Sequence, residues 1–181
     1  MPADRRDPVS ALTTLYDEAA IAERIGQLSA EIAQRLPREF MIVGLLKGSF
    51  VFMADLTRAL GRAGAAPSVE FLRLSSYGLG KESSGTMHLI SDIPGDISGR
   101  DVLLVDDILD TGRSLAYARA LVEQRDAARI WTCVLLDKPS RREVAVAVDF
   151  VGFSVGDVFV AGYGIDYAEK YRHLADIVAV E

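Results

Sequence analysis

The chain has 181 residues and a formal net charge of −6; half of its residues are hydrophobic and a quarter are charged. This composition is typical of a single globular domain, and the acidic balance argues against a nucleic-acid partner, which needs a basic surface. A lone cysteine and two histidines exclude an internal disulfide and a transition-metal cluster.

The N-terminal residues 1–8 are polar and charged, unlike a signal peptide, and are expected to be a flexible segment ahead of one domain over residues 9–181. No apolar run approaches the roughly 18–20 residues of a membrane span, so we expect no membrane partner and a cytoplasmic protein. From Asp17 onward, apolar residues recur at helical spacing. This pattern predicts a helix that Asp17 caps and that ends before Pro37.

The next elements alternate between strand and helix. The continuous apolar run 40–46 predicts a strand that is covered on both faces. Ser49 is expected to cap a second helix over residues 50–60, closed by Gly61. A further strand is predicted over residues 69–74.

Residues 75–86 are rich in serine, glycine and charge, which is typical either of a mobile active-site flap or of a passive surface loop. The remaining predicted elements are a helix over residues 115–122 and strands over residues 89–93, 102–105, 130–136, 144–153, 159–163 and 177–180. Strands that alternate with helices predict an α/β fold with a mostly parallel sheet and helices on both faces. Ligands of such folds bind at the carboxyl ends of the strands.

The segment after the strand 102–105 carries the most chemistry. Two adjacent carboxylates, Asp106 and Asp107, come where that strand is predicted to end, and Asp110 precedes a Thr-Gly-Arg-Ser turn into the next helix. The free N–H groups of a helix start suit a phosphate, whereas paired carboxylates suit sugar hydroxyls, a divalent cation or a developing positive charge. A sugar phosphate satisfies both parts. Alone, an Asp-Thr-Gly turn would more often be an ordinary helix cap.

The acidic strand end has one competing functional interpretation, the metal-binding strand of a P-loop ATPase. That site needs a Gly-x-x-x-x-Gly-Lys-[Ser/Thr] loop upstream, and the chain has none, because Gly80-Lys81 lacks the earlier glycine and the hydroxyl. We therefore discard the ATPase.

The acidic segment resembles the ribose-phosphate signature of the type I phosphoribosyltransferases. Four further segments resemble the bacterial hypoxanthine (hypoxanthine-guanine) phosphoribosyltransferases, in the family's order: residues 43–50, 75–78, 135–142 and 159–167. The resemblance implies that family's fold, a mostly parallel twisted sheet flanked by helices, with a small hood and a flexible active-site loop. It also implies purine salvage, in which the phosphoribosyl group of phosphoribosyl pyrophosphate is transferred to N9 of hypoxanthine and of guanine. The products would be IMP or GMP, and pyrophosphate.

The resemblance assigns the phosphoribosyl pyrophosphate site to Lys47, Gly48, Asp106, Asp107, Asp110, Thr111, Gly112, Arg113, Ser114 and Arg172. Within this set, residues 110–114 would hold the 5′-phosphate, the acidic pair would bind the ribose hydroxyls, and Lys47, Gly48 and Arg172 would bind pyrophosphate. The family's uncommon cis peptide bond before the lysine is carried over to Lys47. Mg²⁺ would be held near Asp106, Asp107 and Asp166.

For the purine, the resemblance implies Lys138 as donor to the 6-oxo group, Phe159 as stacking ring, and Val160 and Asp166 as backbone partners. Asp110 would accept the N7 proton. Ser76 and Tyr77 would lie on the flap. An aromatic residue in a strand such as Phe159 is, taken alone, more often part of the core.

Two alternatives remain open at this point. One is a related transferase that prefers xanthine or a pyrimidine, which the Lys138 and Phe159-Val160 pattern disfavours. The other is a regulator that senses phosphoribosyl pyrophosphate without catalysis, although such a regulator is expected to lack Asp110 or to be basic. The family suggests a homodimer or homotetramer.

Overall fold

A computed structural model describes residues 11–76 and 87–181. The elements in chain order are β1 (Leu12–Tyr16), α1 (Glu18–Arg35), β2 (Met41–Leu46), α2 (Phe50–Arg62), β3 (Ser68–Ser76), β4 (Met87–Ser91), β5 (Asp101–Leu109), α3 (Arg113–Glu123), β6 (Arg129–Asp137), a 3₁₀ turn (Pro139–Arg141), β7 (Phe150–Ser154), β8 (Phe159–Ala161) and β9 (Ile177–Val180). The predicted N-terminal segment 1–8 and most of the predicted flap, residues 77–86, lie outside the described residues. No helix among the described residues is long and apolar enough to cross a membrane.

Within the described residues, six strands form the main sheet in the order β4-β3-β2-β5-β6-β7. Every neighbouring pair is parallel except β3 and β4, so the predicted mostly parallel sheet is confirmed. The strands β1, β9 and β8 form a second, antiparallel sheet, which corresponds to the small hood that the resemblance implied. Strand β1 was not predicted from the sequence.

Both faces of the central strands β2 and β5 are buried, as the continuous apolar runs indicated. In β2 and β5, Ile42 and Leu103 pack into a core with α1 and α2, whereas Val43 and Leu104 pack into a second core with α3. Successive side chains of a strand point to opposite faces, so one apolar run serves two cores. Cys133 lies fully buried in β6, and this burial raises the pKa of its thiol.

The first helix begins as predicted, because the Asp17 carboxylate accepts a hydrogen bond from the Ala20 N–H at 2.8 Å. The second helix begins differently. Ser49 has helical backbone angles and its hydroxyl donates to the Leu45 carbonyl at 2.5 Å, so the predicted side-chain cap is wrong. Gly61 does not close α2, which continues to Arg62.

Three strand predictions need correction. Strand β5 extends to Leu109, because its pairing with β6 continues, so Asp106 and Asp107 lie within the strand and not after it. Residues 144–149 are not a strand: the Thr111 carbonyl accepts hydrogen bonds from Glu143 and Val144, each at 3.0 Å, and draws this segment across the start of α3. Strand β8 ends at Ala161, because the next two residues have positive φ angles.

Candidate active site

The parallel strands β2 and β5 end at one edge of the main sheet, and a cavity of about 370 Å³ lies there. Its walls combine segments that are far apart in sequence. Among the residues that line it are six of the predicted site residues: Lys47, Gly48, Asp106, Asp107, Ser114 and Asp166. The sheet topology therefore brings the predicted sugar, pyrophosphate and metal residues together.

The carboxylates of Asp106 and Asp107 are held in the cavity wall by β5. Asp106 is buried and accepts a hydrogen bond from the Asp107 N–H at 3.0 Å. Removal from water raises the pKa of Asp106 well above its usual range, and the neighbouring Asp107 charge raises it further. Desolvation also raises the pKa of Asp107, and hydrogen bonds, above all with the Asp106 side chain, partly oppose this rise, as does Arg172 to a smaller extent. A ligand that brings hydroxyl donors or a cation to this pair would relieve its excess negative charge.

The turn after β2 packs directly onto this acidic pair. The peptide bond between Leu46 and Lys47 is cis, as the resemblance implied. A Cβ atom added to Gly48 would lie 1.7 Å from Oδ2 of Asp107. The backbone of the turn therefore lies against the carboxylate, and a larger residue at this position would have to displace the Asp107 side chain.

The start of α3 forms a second, smaller cavity of about 60 Å³ beside the first, which we call the phosphate cradle. The predicted residues in its wall are Asp106, Asp110, Thr111, Gly112 and Ser114. Gly112 is the first residue before the helix, with a φ of +87°, and an added Cβ would lie 2.5 Å from the Val144 carbonyl oxygen. Unpaired N–H groups of a helix start and the Ser114 hydroxyl suit a phosphate.

The side chain of Arg113, which was predicted as part of the cradle, points elsewhere. Its guanidinium group pairs with Glu143, with Nε 2.8 Å and Nη2 2.7 Å from the same carboxylate oxygen. It does not line the cradle, and the Arg113 N–H makes a long hydrogen bond of 3.4 Å to the Thr111 hydroxyl, which a phosphate would have to replace.

Arg142 stabilises the loop that forms the phosphate cradle, a role that the sequence did not predict. Its guanidinium donates to the carbonyls of Asp110 at 3.1 Å and Leu109 at 3.2 Å, and pairs with Asp137 at 2.5 Å. These contacts join the end of β6 to the loop between β5 and α3. The only sequence signal was the arginine doublet after β6, and which arginine would reach the loop depends on the tertiary structure.

A third cavity of about 200 Å³, which we call the base pocket, adjoins the cradle and shares Asp110 with it. Its other lining residues are Lys138, Arg141, Asp157, Val158 and Phe159. The side chain of Phe159 is 65% exposed and makes an edge contact with Tyr167, so the core interpretation of this residue is wrong. Its ring can stack on a flat ligand.

Lys138 is one of two cations that line the base pocket, the other being Arg141, and its surroundings are unusual for a lysine. The residue is only 6% exposed, and its Nζ atom donates to the Val158 carbonyl at 2.5 Å. An ammonium group has three donors, so a ligand acceptor in the pocket can take another of them. Val160, predicted as a partner of the base, is buried in β8 opposite Ala179 and does not line the pocket.

The loop after β8 brings Asp166 to the first cavity, but its carboxylate is already engaged. Arg172 contacts Asp166 Oδ1 at 2.5 Å and donates to the Gly164 carbonyl at 2.8 Å. Arg172 therefore faces Asp166 and a neighbouring cavity, and does not line the first one. In the same loop, Glu169 pairs with Lys47 at 2.8 Å, and this contact lowers the pKa of the Glu169 carboxyl.

The donor set fits a magnesium ion that arrives with a phosphate ligand. No cluster of three or more histidine, cysteine or acidic side chains with metal-binding geometry occurs in the part of the chain that the structure describes. Mg²⁺ usually binds through one or two carboxylates together with water and substrate phosphates. The acidic pair in β5, short of compensating charge, matches that pattern.

The predicted flap residues are only partly described. Ser76 is the last residue of β3, and its side chain is not described. Tyr77 lies outside the described residues, so its predicted closure over the site stays a prediction.

Comparisons with known proteins agree with this geometry. The phosphoribosyl transferase domain family matches residues 11–168. The hypoxanthine phosphoribosyltransferase of Salmonella typhimurium is 48% identical over 163 residues, which cover 88% of this chain and 90% of that protein. The hypoxanthine-guanine phosphoribosyltransferase of Aquifex aeolicus is 44% identical over 172 residues, 94% of this chain and 95% of that protein.

A solved structure has the same architecture. The hypoxanthine phosphoribosyltransferase of Trypanosoma cruzi in complex with the product IMP superposes with a TM-score of 0.88 at 36% identity, covering 98% of this chain and 97% of that one. At this identity and coverage, the likeness extends over the whole domain and includes both sheets.

Proposed function

The chain belongs to the hypoxanthine phosphoribosyltransferase family, and from this we propose that it transfers the phosphoribosyl group of phosphoribosyl pyrophosphate to N9 of hypoxanthine, and of guanine, in purine salvage. The products are IMP or GMP, and pyrophosphate. One observation carries the proposal: the 370 Å³ cavity, the phosphate cradle and the base pocket adjoin one another at a single sheet edge and share Asp106, Ser114 and Asp110 between neighbours. The 370 Å³ cavity matches the pentose with its pyrophosphate, the phosphate cradle matches the 5′-phosphate, and the base pocket matches the base.

The phosphate cradle would hold the substrate by its 5′-phosphate through the N–H groups of residues 111–114 and the Ser114 hydroxyl. Asp106 and Asp107 would accept hydrogen bonds from the ribose 2′- and 3′-hydroxyls. Fixing both ends of the pentose restricts its motion and presents C1′ toward the base pocket, so positioning supplies a large part of the rate.

The leaving pyrophosphate would meet the N–H groups of Lys47 and Gly48. We also propose Mg²⁺ at this site, bound by Asp106 or Asp107 and by Asp166 together with substrate oxygens; the ion would neutralise charge on the leaving group. To reach the pyrophosphate, the Lys47 ammonium must release Glu169, a half-exposed ion pair that is weak enough to exchange.

In the base pocket, Phe159 would stack on the purine and Lys138 would donate to its 6-oxo group. Adenine carries an amino group at this position, which cannot accept the hydrogen bond. As the N9–C1′ bond forms and the bond from C1′ to pyrophosphate breaks, the N7 proton would pass to Asp110, a general base.

We further propose that the chain is a cytoplasmic homodimer or homotetramer. The exposed apolar side chains Val69 and Phe71 of β3 and Ile90 of β4 lie on the side of the main sheet where β4 is the outermost strand. Phe50 is also exposed, at the start of α2. Such surfaces typically pack against a second subunit. Sedimentation of the purified protein measures the assembly.

The test of the proposed function is pyrophosphate release with Mg²⁺, phosphoribosyl pyrophosphate and each of hypoxanthine, guanine, xanthine, adenine and uracil. The proposal expects turnover with hypoxanthine and guanine and little with adenine. Faster turnover with xanthine or uracil would instead support a transferase for that base. Tight binding of phosphoribosyl pyrophosphate without turnover of any base would support a regulator.

A further inference from the structure

We propose that Arg141 is a positioning residue for the proton acceptor Asp110, an inference that rests on the proposed function. Arg141 ends the 3₁₀ turn after β6 and lines the base pocket opposite the loop that carries Asp110. Its Nε atom lies 3.1 Å from Oδ1 of Asp110.

The environment of the two Asp110 oxygens is unequal. Oδ1 is buried and accepts no hydrogen bond of regular geometry from any residue that the structure describes. The side chain as a whole is nevertheless 38% exposed, so its accessible surface lies on its other atoms. The Arg141 guanidinium thus compensates the buried oxygen, and Oδ2 is left as the oxygen that can face a base.

Arg141 itself lies between two carboxylates. Its Nη1 atom is 3.5 Å from Asp157, on the other side of the base pocket, and its side chain is 46% exposed. When Asp110 takes up the N7 proton and becomes neutral, its attraction to Arg141 weakens. The guanidinium then keeps Asp157 as a partner, so proton transfer does not leave an unpaired cation in the pocket.

The positioning of Asp110 and the binding of phosphoribosyl pyrophosphate should be separable by substitution of Arg141. Arg141 does not line the phosphate cradle or the 370 Å³ cavity, so its loss should leave the binding of phosphoribosyl pyrophosphate intact. It acts on the reaction through the orientation of Asp110. Misplacing a reacting group by about 1 Å can lower a rate by about a hundredfold.

The experiment is a double-mutant cycle on the full chain with Arg141→Gln, Asp110→Asn and the double variant, measuring kcat and KM by pyrophosphate release. Arg141→Gln should lower kcat about ten- to a hundredfold and change the KM for phosphoribosyl pyrophosphate less than about twofold. On the Asp110→Asn background the same substitution should change kcat less than about twofold, because the group it positions is gone.

Arg119→Gln is the matched control, since Arg119 pairs with Glu123 on the exposed side of α3 and its loss changes the net charge equally. Its kinetics should match the unmodified chain. An unchanged kcat in Arg141→Gln, an equal loss on both backgrounds, or a loss confined to KM would overturn the role of Arg141. Absence of turnover in the unmodified chain would instead overturn the proposed function.

Discussion

Two groups of carboxylates at the same sheet edge differ sharply in how they are surrounded. Asp106 and Asp107 lie in β5 with their charges close together and removed from water, and burial raises both pKa values. Asp110 and Asp157 lie in loops at the base pocket, partly exposed, and share the Arg141 guanidinium. The negative charge of the first group needs a ligand to compensate it, whereas the charge of the second group is compensated by a neighbouring cation before any ligand binds.

This difference suggests a division of labour. The acidic pair in β5 should control substrate binding and carry a cost in stability, since carboxylates removed from water destabilise a fold where their charge is not fully compensated. The base-pocket carboxylates should control the chemical step with little effect on folding. Substitutions can separate these two properties.

The largest effect is expected for Asp110→Asn. An amide cannot accept the N7 proton at neutral pH, so kcat should fall about 10²- to 10⁴-fold. The KM for phosphoribosyl pyrophosphate should change little. Steady-state kinetics measure both, and an equal loss in kcat and in substrate affinity would refute the role as a base.

A smaller loss, of about a hundredfold in kcat/KM for phosphoribosyl pyrophosphate, is expected for Gly48→Ala. The new methyl group would collide with the Asp107 carboxylate and displace it from the pentose site. Gly26→Ala is the control, because an added Cβ at Gly26 in α1 meets nothing within 4 Å and alanine favours the helix. If the two variants behaved alike, the packing of the turn against Asp107 would have no functional importance.

Base selectivity should change about tenfold or more in Lys138→Gln. A glutamine amide can either donate to a 6-oxo group or accept from a 6-amino group, so the preference for hypoxanthine over adenine should relax. The measurement is the ratio of kcat/KM for the two bases. An unchanged ratio would mean that Lys138, held at the Val158 carbonyl, supports the pocket without reading the base.

The smallest effect concerns stability. When folding raises the pKa of a carboxyl group, the free energy of unfolding is highest below the pKa of the unfolded chain, near 4, where the group is protonated in both states. It falls as the pH rises, because the folded chain holds the proton more tightly than the unfolded chain does. Asp106→Asn should therefore raise the free energy of unfolding at neutral pH by about 1 kcal/mol in the absence of substrate, although it weakens substrate binding.

Denaturant unfolding from pH 4 to pH 8 measures this effect, and the advantage of Asp106→Asn should grow as the pH rises. Asp96→Asn is the control, because Asp96 is exposed and its side-chain oxygen caps the nearby Ser98 N–H, which asparagine can also do. A constant difference across this range would show that the buried charge of Asp106 costs no stability.

The same contrast explains which parts could be predicted from the sequence. The acidic pair and the phosphate cradle come from one continuous segment, residues 106–114. Its order of carboxylates, glycine and hydroxyls already indicates a site for a sugar phosphate. The base pocket combines residues from three separate stretches, namely residue 110, residues 138–141 and residues 157–159. The pairing of Arg141 with Asp110 depends on how β6 and its turn lie beside β5, which no local pattern contains.

The fold shows the same limit. Buried runs such as residues 40–46 were predicted correctly, because burial on both faces leaves a clear apolar signal. Strand β1 was missed, since it is mostly exposed and exists only by pairing with β9, more than 150 residues away. Residues 144–149 were predicted wrongly as strand, because their apolar side chains Val146 and Val148 pack against the core that contains α3 and the segment pairs with none of the described strands.

The most direct test of the proposed site is a crystal structure of the chain with phosphoribosyl pyrophosphate and Mg²⁺ but without a base. The 5′-phosphate is expected at the backbone of residues 111–114, with the ribose hydroxyls within hydrogen-bond distance of Asp106 and Asp107. Density for the substrate in another cavity, or with its ribose turned away from the acidic pair, would contradict the site proposed at this sheet edge.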